Sequence, residues 1–172
     1  MNCIAIYLSV LLIYYLMYSF QCLKAIPERA EIVFYNTSII EDNPTFNVRR
    51  YSRKGEYVIN LVFVSRAVMD NTVSMDIIFY EYLHNEYRRS FPEMHFKLCD
   101  LISSDPYVGK TMREAGLSSC PILPGKHAIT NMTFNHIIPS VWPFERGMTE
   151  FIIKHTNISR IAVGKLFLKF KQ

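Results

Sequence analysis

The sequence predicts an all-β protein, an antiparallel sandwich or cup of about eight strands with one short helix. Three observations predict it. Apolar residues alternate with polar ones at period two through most of the chain, as in strands with one buried face. The breaks between these runs are short and polar. No strand-helix-strand alternation of the kind that builds a parallel sheet is present.

Taken in order, residues 31–41 and 45–52 are the first strand candidates. In 55–65, Tyr57, Ile59, Leu61 and Phe63 share one face and Asn60 lies on the other. In 72–82, Val73, Met75, Ile77 and Phe79 oppose Thr72, Ser74 and Asp76. A further candidate is 93–99. Asp105-Pro106 then opens a helix over 107–115, because proline is favoured in the first turn, and Gly116 stops it. Residues 126–134 return to a strand. Near the C-terminus, Phe151 and Ile153 alternate with Glu150 and Lys154, and Ala162, Leu166, Leu168 and Phe170 alternate with Lys165, Lys169 and Lys171. Both are half-buried strands.

Composition supports one packed domain. Half of the 172 residues are hydrophobic (50%), 14% are aromatic and 20% are charged, which excludes a disordered chain. The net charge of +4 is small and its sources are scattered along the chain, so nucleic acid is not an expected partner.

The N-terminus carries a targeting signal. Residues 3–20 hold no charge in 18 positions, and the first charged side chain is Lys24. This pattern reads as a signal peptide over residues 1–25 with Ala25 as its last residue, leaving 26–172 as the mature domain. A signal anchor is the competing reading, since about 20 apolar residues span a bilayer. With cleavage, the protein is secreted. Cys99 and Cys120 then survive as an even pair in an oxidising compartment, and one disulfide closing a loop of 20 residues is the simplest outcome. Three sequons agree with that compartment and mark Asn36, Asn131 and Asn157 as glycosylation candidates.

Catalytic constellations are absent from the sequence. His84, His95, His127, His136 and His155 occur without a compact ligand spacing, so no metal site is expected. Glu81 and Glu86 flank His84 in a tyrosine-rich segment that reads as a solvated strand end. Nucleophile elbows, phosphate loops and dinucleotide fingerprints are missing, and no enzyme activity or cofactor is expected.

Residues 99–147 show a further pattern. Cys99 and Cys120 are followed by Pro121 and Gly125, then by a strand reaching Asn131, then by Ile138-Pro139 and Pro143 before Gly147. This arrangement resembles the insect chemosensory CheA/CheB proteins, which belong to or sit beside the ML lipid-recognition superfamily that includes the ganglioside activator protein. The resemblance implies a secreted, immunoglobulin-like β-sandwich of the ML type, splayed to hold a lipid or other hydrophobic small molecule. It also implies a role in chemosensation, such as pheromone or gustatory detection, with a sensory receptor as partner.

The candidate ligand-binding residues follow from the inward faces: Leu61, Phe63, Met75, Ile77, Phe79, Phe151, Ile153, Leu168 and Phe170. Trp142 and Phe144 join them from an apolar, proline-stiffened loop over 137–147. That loop lines a pocket mouth or touches a membrane transiently, or else Trp142 simply packs over the end of the sandwich. The same inward residues would also fill a closed core. A secreted protein-interaction module with an exposed tyrosine face and no ligand is therefore the alternative, and a secreted hydrolase the third reading.

Overall fold

In a computed structural model, residues 24–133 and 143–171 are described. Among them, eight strands and two helices follow in the order β1 (Lys24–Tyr35), β2 (Thr45–Arg50), β3 (Tyr57–Ser65), β4 (Val73–Leu83), β5 (Glu86–Lys97), α1 (Leu98–Ser104), α2 (Val108–Glu114), β6 (Gly125–Met132), β7 (Arg146–His155) and β8 (Ile158–Lys171). The strands form a five-stranded sheet of order β1-β8-β7-β4-β5 and a three-stranded sheet of order β2-β3-β6. All pairings are antiparallel. The fold is an all-β sandwich opened into a cup.

Register explains why the alternating residues share one interior. Met75 on β4 pairs with Ile153 on β7, and Ile77 with Phe151. Ile153 and Phe151 pair in turn with Ala162 and Gly164 on β8. One inward row therefore crosses three strands at each level. From the other sheet, Phe46 pairs with Leu61 and Leu61 with Ile129, presenting a second apolar row.

The first strand differs from expectation: β1 begins at Lys24 and ends at Tyr35, and 37–39 form a turn. Asn36 is the reason. Its side-chain oxygen accepts hydrogen bonds from the Ser38 amide at 3.0 Å and the Ser38 hydroxyl at 2.6 Å, an Asx turn that halts the ladder. The β4–β5 hairpin turns on His84 and Asn85, both at positive φ (51° and 66°), as a two-residue turn matched to strand twist requires. The neighbouring carboxylates Glu81 and Glu86 thus belong to a hairpin end.

Two helices stand where one was expected. The second, α2, agrees with the sequence: Asp105 accepts from the Gly109 amide at 2.8 Å near its start. At its end, Gly116 takes φ 115°, with Leu117 N–H bonding the Met112 carbonyl at 2.9 Å. That bond, with Gly116 N–H on the Arg113 carbonyl, makes a Schellman stop. The first, α1, was hidden because Met94, Phe96 and Leu98 continue the period-two pattern of β5 up to the helix. Leu98, Leu101 and Ile102, spaced for one helical face, are buried there. The helices touch closely: a Cβ at Gly109 would lie 1.8 Å from the Leu101 carbonyl oxygen.

Cys99 at the start of α1 is bonded to Cys120 before β6, with Cα atoms 5.3 Å apart. The bridge encloses both helices, which close one end of the cup. Ala25, expected to end the leader, is a buried residue of β1 paired with Phe170.

Candidate functional site

Between the sheets lies a cavity of about 130 Å³. Its wall is aliphatic and aromatic, with the Tyr35 ring as the most polar side chain. Leu61 and Phe63 of β3, Met75 of β4, and Phe151 and Ile153 of β7 line it, as the alternation predicts. The helical end contributes Leu98, Val108, Met112 and Leu117, and β1 and β2 contribute Ile32, Tyr35 and Phe46.

Side-chain size along β8 explains why space remains. Its inward row runs Ala162, Gly164, Leu166, Leu168, Phe170, from small to large. The small pair lines the cavity, and a Cβ at Gly164 would meet the Phe46 ring at 3.4 Å and the Glu31 carbonyl oxygen at 3.7 Å. The large residues pack a second core with Ala25, Ile59 and Phe144. There Phe144 and Phe170 meet edge to face at 5.6 Å.

The remaining candidates are thereby placed. Leu168, Phe170 and Phe144 belong to the second core and are outside the cavity wall. Ile77 is 2% exposed within the main core, and Phe79 packs against both cores; neither lines the cavity. Trp142 lies outside the described residues. The lining residues that sequence reasoning missed come from two places: the helical end, and the strands β1, β2, β6 and β8 with the loops between them. A signal existed in the i, i+4 pair Val108 and Met112 and in the small step Ala162-x-Gly164.

Four methionines, Met69, Met75, Met112 and Met132, line the cavity, half of the eight in the chain. Their unbranched, polarizable side chains adjust to differently shaped contents.

The outer face of the large sheet holds the best-connected ionisable group. Asp76, 8% exposed, accepts from His95 Nδ1 at 2.8 Å and from Lys154 Nζ. Burial pushes its carboxyl up, but the bonds and charges of His95 and Lys154 outweigh this and hold it below the usual carboxylate range. Nearby, the Tyr80 hydroxyl donates to Glu150 at 2.9 Å, and burial with that carboxylate raises the phenol. These groups point away from the cavity and tie β5 and β7 to β4. Among the described residues, no group of His, Cys, Asp and Glu is arranged to hold a metal ion, and no helix is long and apolar enough to cross a membrane.

The sequons sit on different surfaces. Asn131 and Asn157 are exposed, Asn157 in the β7–β8 turn, and Asn36 is half-buried. Asn131 takes a positive φ of 59° while its amide bonds the buried Asn60 side chain at 3.0 Å, where the β3–β6 register shifts.

No family model matches the sequence, and no curated protein matches it. Among solved structures, the chain is similar to a Niemann-Pick type C2 protein from Japanese carpenter ant, at 11% identity and TM-score 0.35, over 84% of this chain and 90% of that one. It is also similar to chicken MD-1 complexed with lipid IVa, at 12% identity and TM-score 0.35, over 86% of this chain and 98% of that one. Neither is a CheA/CheB protein, the narrower resemblance carried by residues 99–147.

Proposed function

We propose that this chain is a secreted, non-enzymatic binding protein that buries part of a hydrophobic small molecule or lipid between its sheets. The observation that carries the reading is the apolar cavity floored by Ala162 and Gly164. Its volume of about 130 Å³ is close to the ~150 Å³ at which an apolar cavity stays dry and admits a benzene-sized molecule. The space as it stands takes a ring or the end of an acyl chain. Rotation of the lining methionines extends it for a longer ligand. Burial without covalent chemistry suits a wall with almost no polar groups to orient or activate a substrate.

Displacement of a fluorescent fatty acid, followed by native mass spectrometry of the protein as purified, tests the reading. Saturable probe binding and a co-purifying apolar mass support it. If the parent protein binds no probe, the alternative is favoured: an interaction module using the tyrosine face, where Tyr82 and Tyr87 stack at 4.8 Å and Arg146 lies over Tyr82 at 5.4 Å.

Secretion, with leader removal near Ala25, and glycosylation at Asn36, Asn131 or Asn157 belong to the same proposal. N-terminal sequencing of medium and membrane fractions, with and without glycosidase, tests both. An intact leader retained in membranes favours the anchor. The chemosensory role rests on the Cys120-Pro121 to Gly125 resemblance, and is tested by whether deleting the protein alters the response to an apolar cue.

A further inference from the structure

Two groups of cations far apart in the sequence, six side chains in all, meet at one end of the sandwich, opposite the helices. Arg49 and Arg50 end β2, Arg53 and Lys54 lie in the turn that follows, and Lys169 and Lys171 stand at the end of β8. The turn and the strand end are neighbours because Lys24, the register partner of Lys171, donates to Glu56 at 2.7 Å. All six cations are exposed, and none has a carboxylate partner among the described residues. The nearest acid in sequence, Glu56, is engaged by Lys24. Arg50 lies over the Tyr57 ring at 4.9 Å. Beside them the Tyr51 ring is 69% exposed.

Exposed acids at this pole, Glu56 in the turn and Glu145 beside the end of β8, are outnumbered by the cations; the excess of like charge repels itself in the free protein, and a polyanion relieves that repulsion. The chemistry narrows the kind of polyanion. Between residues 49 and 57 the exposed apolar surface is the rings of Tyr51 and Tyr57, and no aliphatic side chain is exposed there to insert among acyl chains. Guanidinium forks, by contrast, match tetrahedral oxyanions with paired hydrogen bonds. An exposed aromatic ring beside them offers a flat face to a sugar ring.

We propose that this pole binds a sulfated polysaccharide, with Arg49, Arg50 and Arg53 taking sulfate groups, Lys54, Lys169 and Lys171 extending the track, and Tyr51 stacking on a sugar ring. The site is separate from the cavity, being divided from it by the second core, and does not depend on what the cavity holds.

The test is titration of the whole protein with heparin, with fully desulfated heparin and with phosphatidylserine vesicles, at low and physiological salt. Heparin binds, desulfated heparin does not, and affinity falls steeply as salt rises. Each cation removed weakens binding roughly fivefold, so Arg53→Glu with Lys54→Glu loses roughly 25-fold or more. Lys97→Glu with Lys126→Glu, the same charge change at the helical end, leaves heparin affinity nearly intact. Equal losses in both pairs mean that net charge alone is read, and overturn the proposal. Binding to vesicles without heparin binding overturns it in favour of a membrane, and no binding to either overturns it outright. Lys169→Gln with Lys171→Gln is the second variant should the turn pair fail to fold. Displacement of the fatty-acid probe, unchanged in every variant, keeps this outcome distinct from the fate of the cavity reading.

Discussion

Replacing Met75 by tryptophan distinguishes a cavity from a filled core by the sign of its effect on stability. Met75 is 7% exposed, sits within β4 and borders the empty space. Unfilled interior costs about 24 cal/mol per Å³, so filling a space of about 130 Å³ completely would return at most about 3 kcal/mol. An indole fills part of it and must find a rotamer inside an existing wall, so the expected gain lies between zero and about 1.5 kcal/mol. For a chain of this length, that raises Tm by at most a few degrees. The ligand should respond in the opposite direction. A probe at about a hundred times its Kd stabilises the parent by about 2.7 kcal/mol, roughly 5–10 °C in Tm, and the variant should show no such shift. Thermal scans with and without a fluorescent fatty acid measure both quantities. Destabilisation of about 1–3 kcal/mol, the range for overpacking, combined with no probe-induced shift in the parent, would refute the reasoning.

Three other outcomes are expected. Cys99→Ser should lower stability by about 3 kcal/mol in denaturant titration, and the parent should yield no reactive thiol at Cys99 or Cys120 when unfolded without reductant. Gly109→Ala should destabilise by more than about 2 kcal/mol, because its methyl would collide with the Leu101 carbonyl; wild-type stability would show that the helices can part without loss. Asp76→Asn should lower the thermal midpoint at neutral pH by breaking two charge-assisted bonds. Because the folded carboxyl lies below its ordinary value of 3.8, its contribution is complete above that value and lost as pH falls through the lowered one. The gap between parent and variant should therefore close in acid, and a gap independent of pH would exclude the linkage.

Much of the architecture was legible because strand alternation is a local property. Leu61, Phe63, Met75, Phe151 and Ile153 declare an inward face through their own neighbours, and any sheet that buries one face must turn them inside. The cysteine pair and the stop at Gly116 are local in the same sense: few residue types serve a bridge or a positive φ. Helix α1 was not legible, since three residues of period-two pattern led into it and tertiary burial of Leu101 and Ile102 decided the winding. The start of β1 at Lys24 was likewise hidden under an apolar leader pattern that runs up to it.

Sequence by itself thus determined which faces are apolar and which strands exist. Tertiary structure decided what those faces enclose. Leu168 and Phe170 alternate as convincingly as Phe151 and Ile153, yet they fill a second core, because they pack with Ala25, Ile59 and Phe144, whereas Ala162 and Gly164 border the cavity beside Phe46. Whether an interior is filled depends on the summed volume of side chains meeting from different strands, and that sum exists only once the register is set. The same holds for the cations: Arg49, Arg50, Arg53 and Lys54 lie together in the sequence and Lys169 and Lys171 far from them, and the pairing of β1 with β8 and the Lys24–Glu56 contact bring the two groups to one pole.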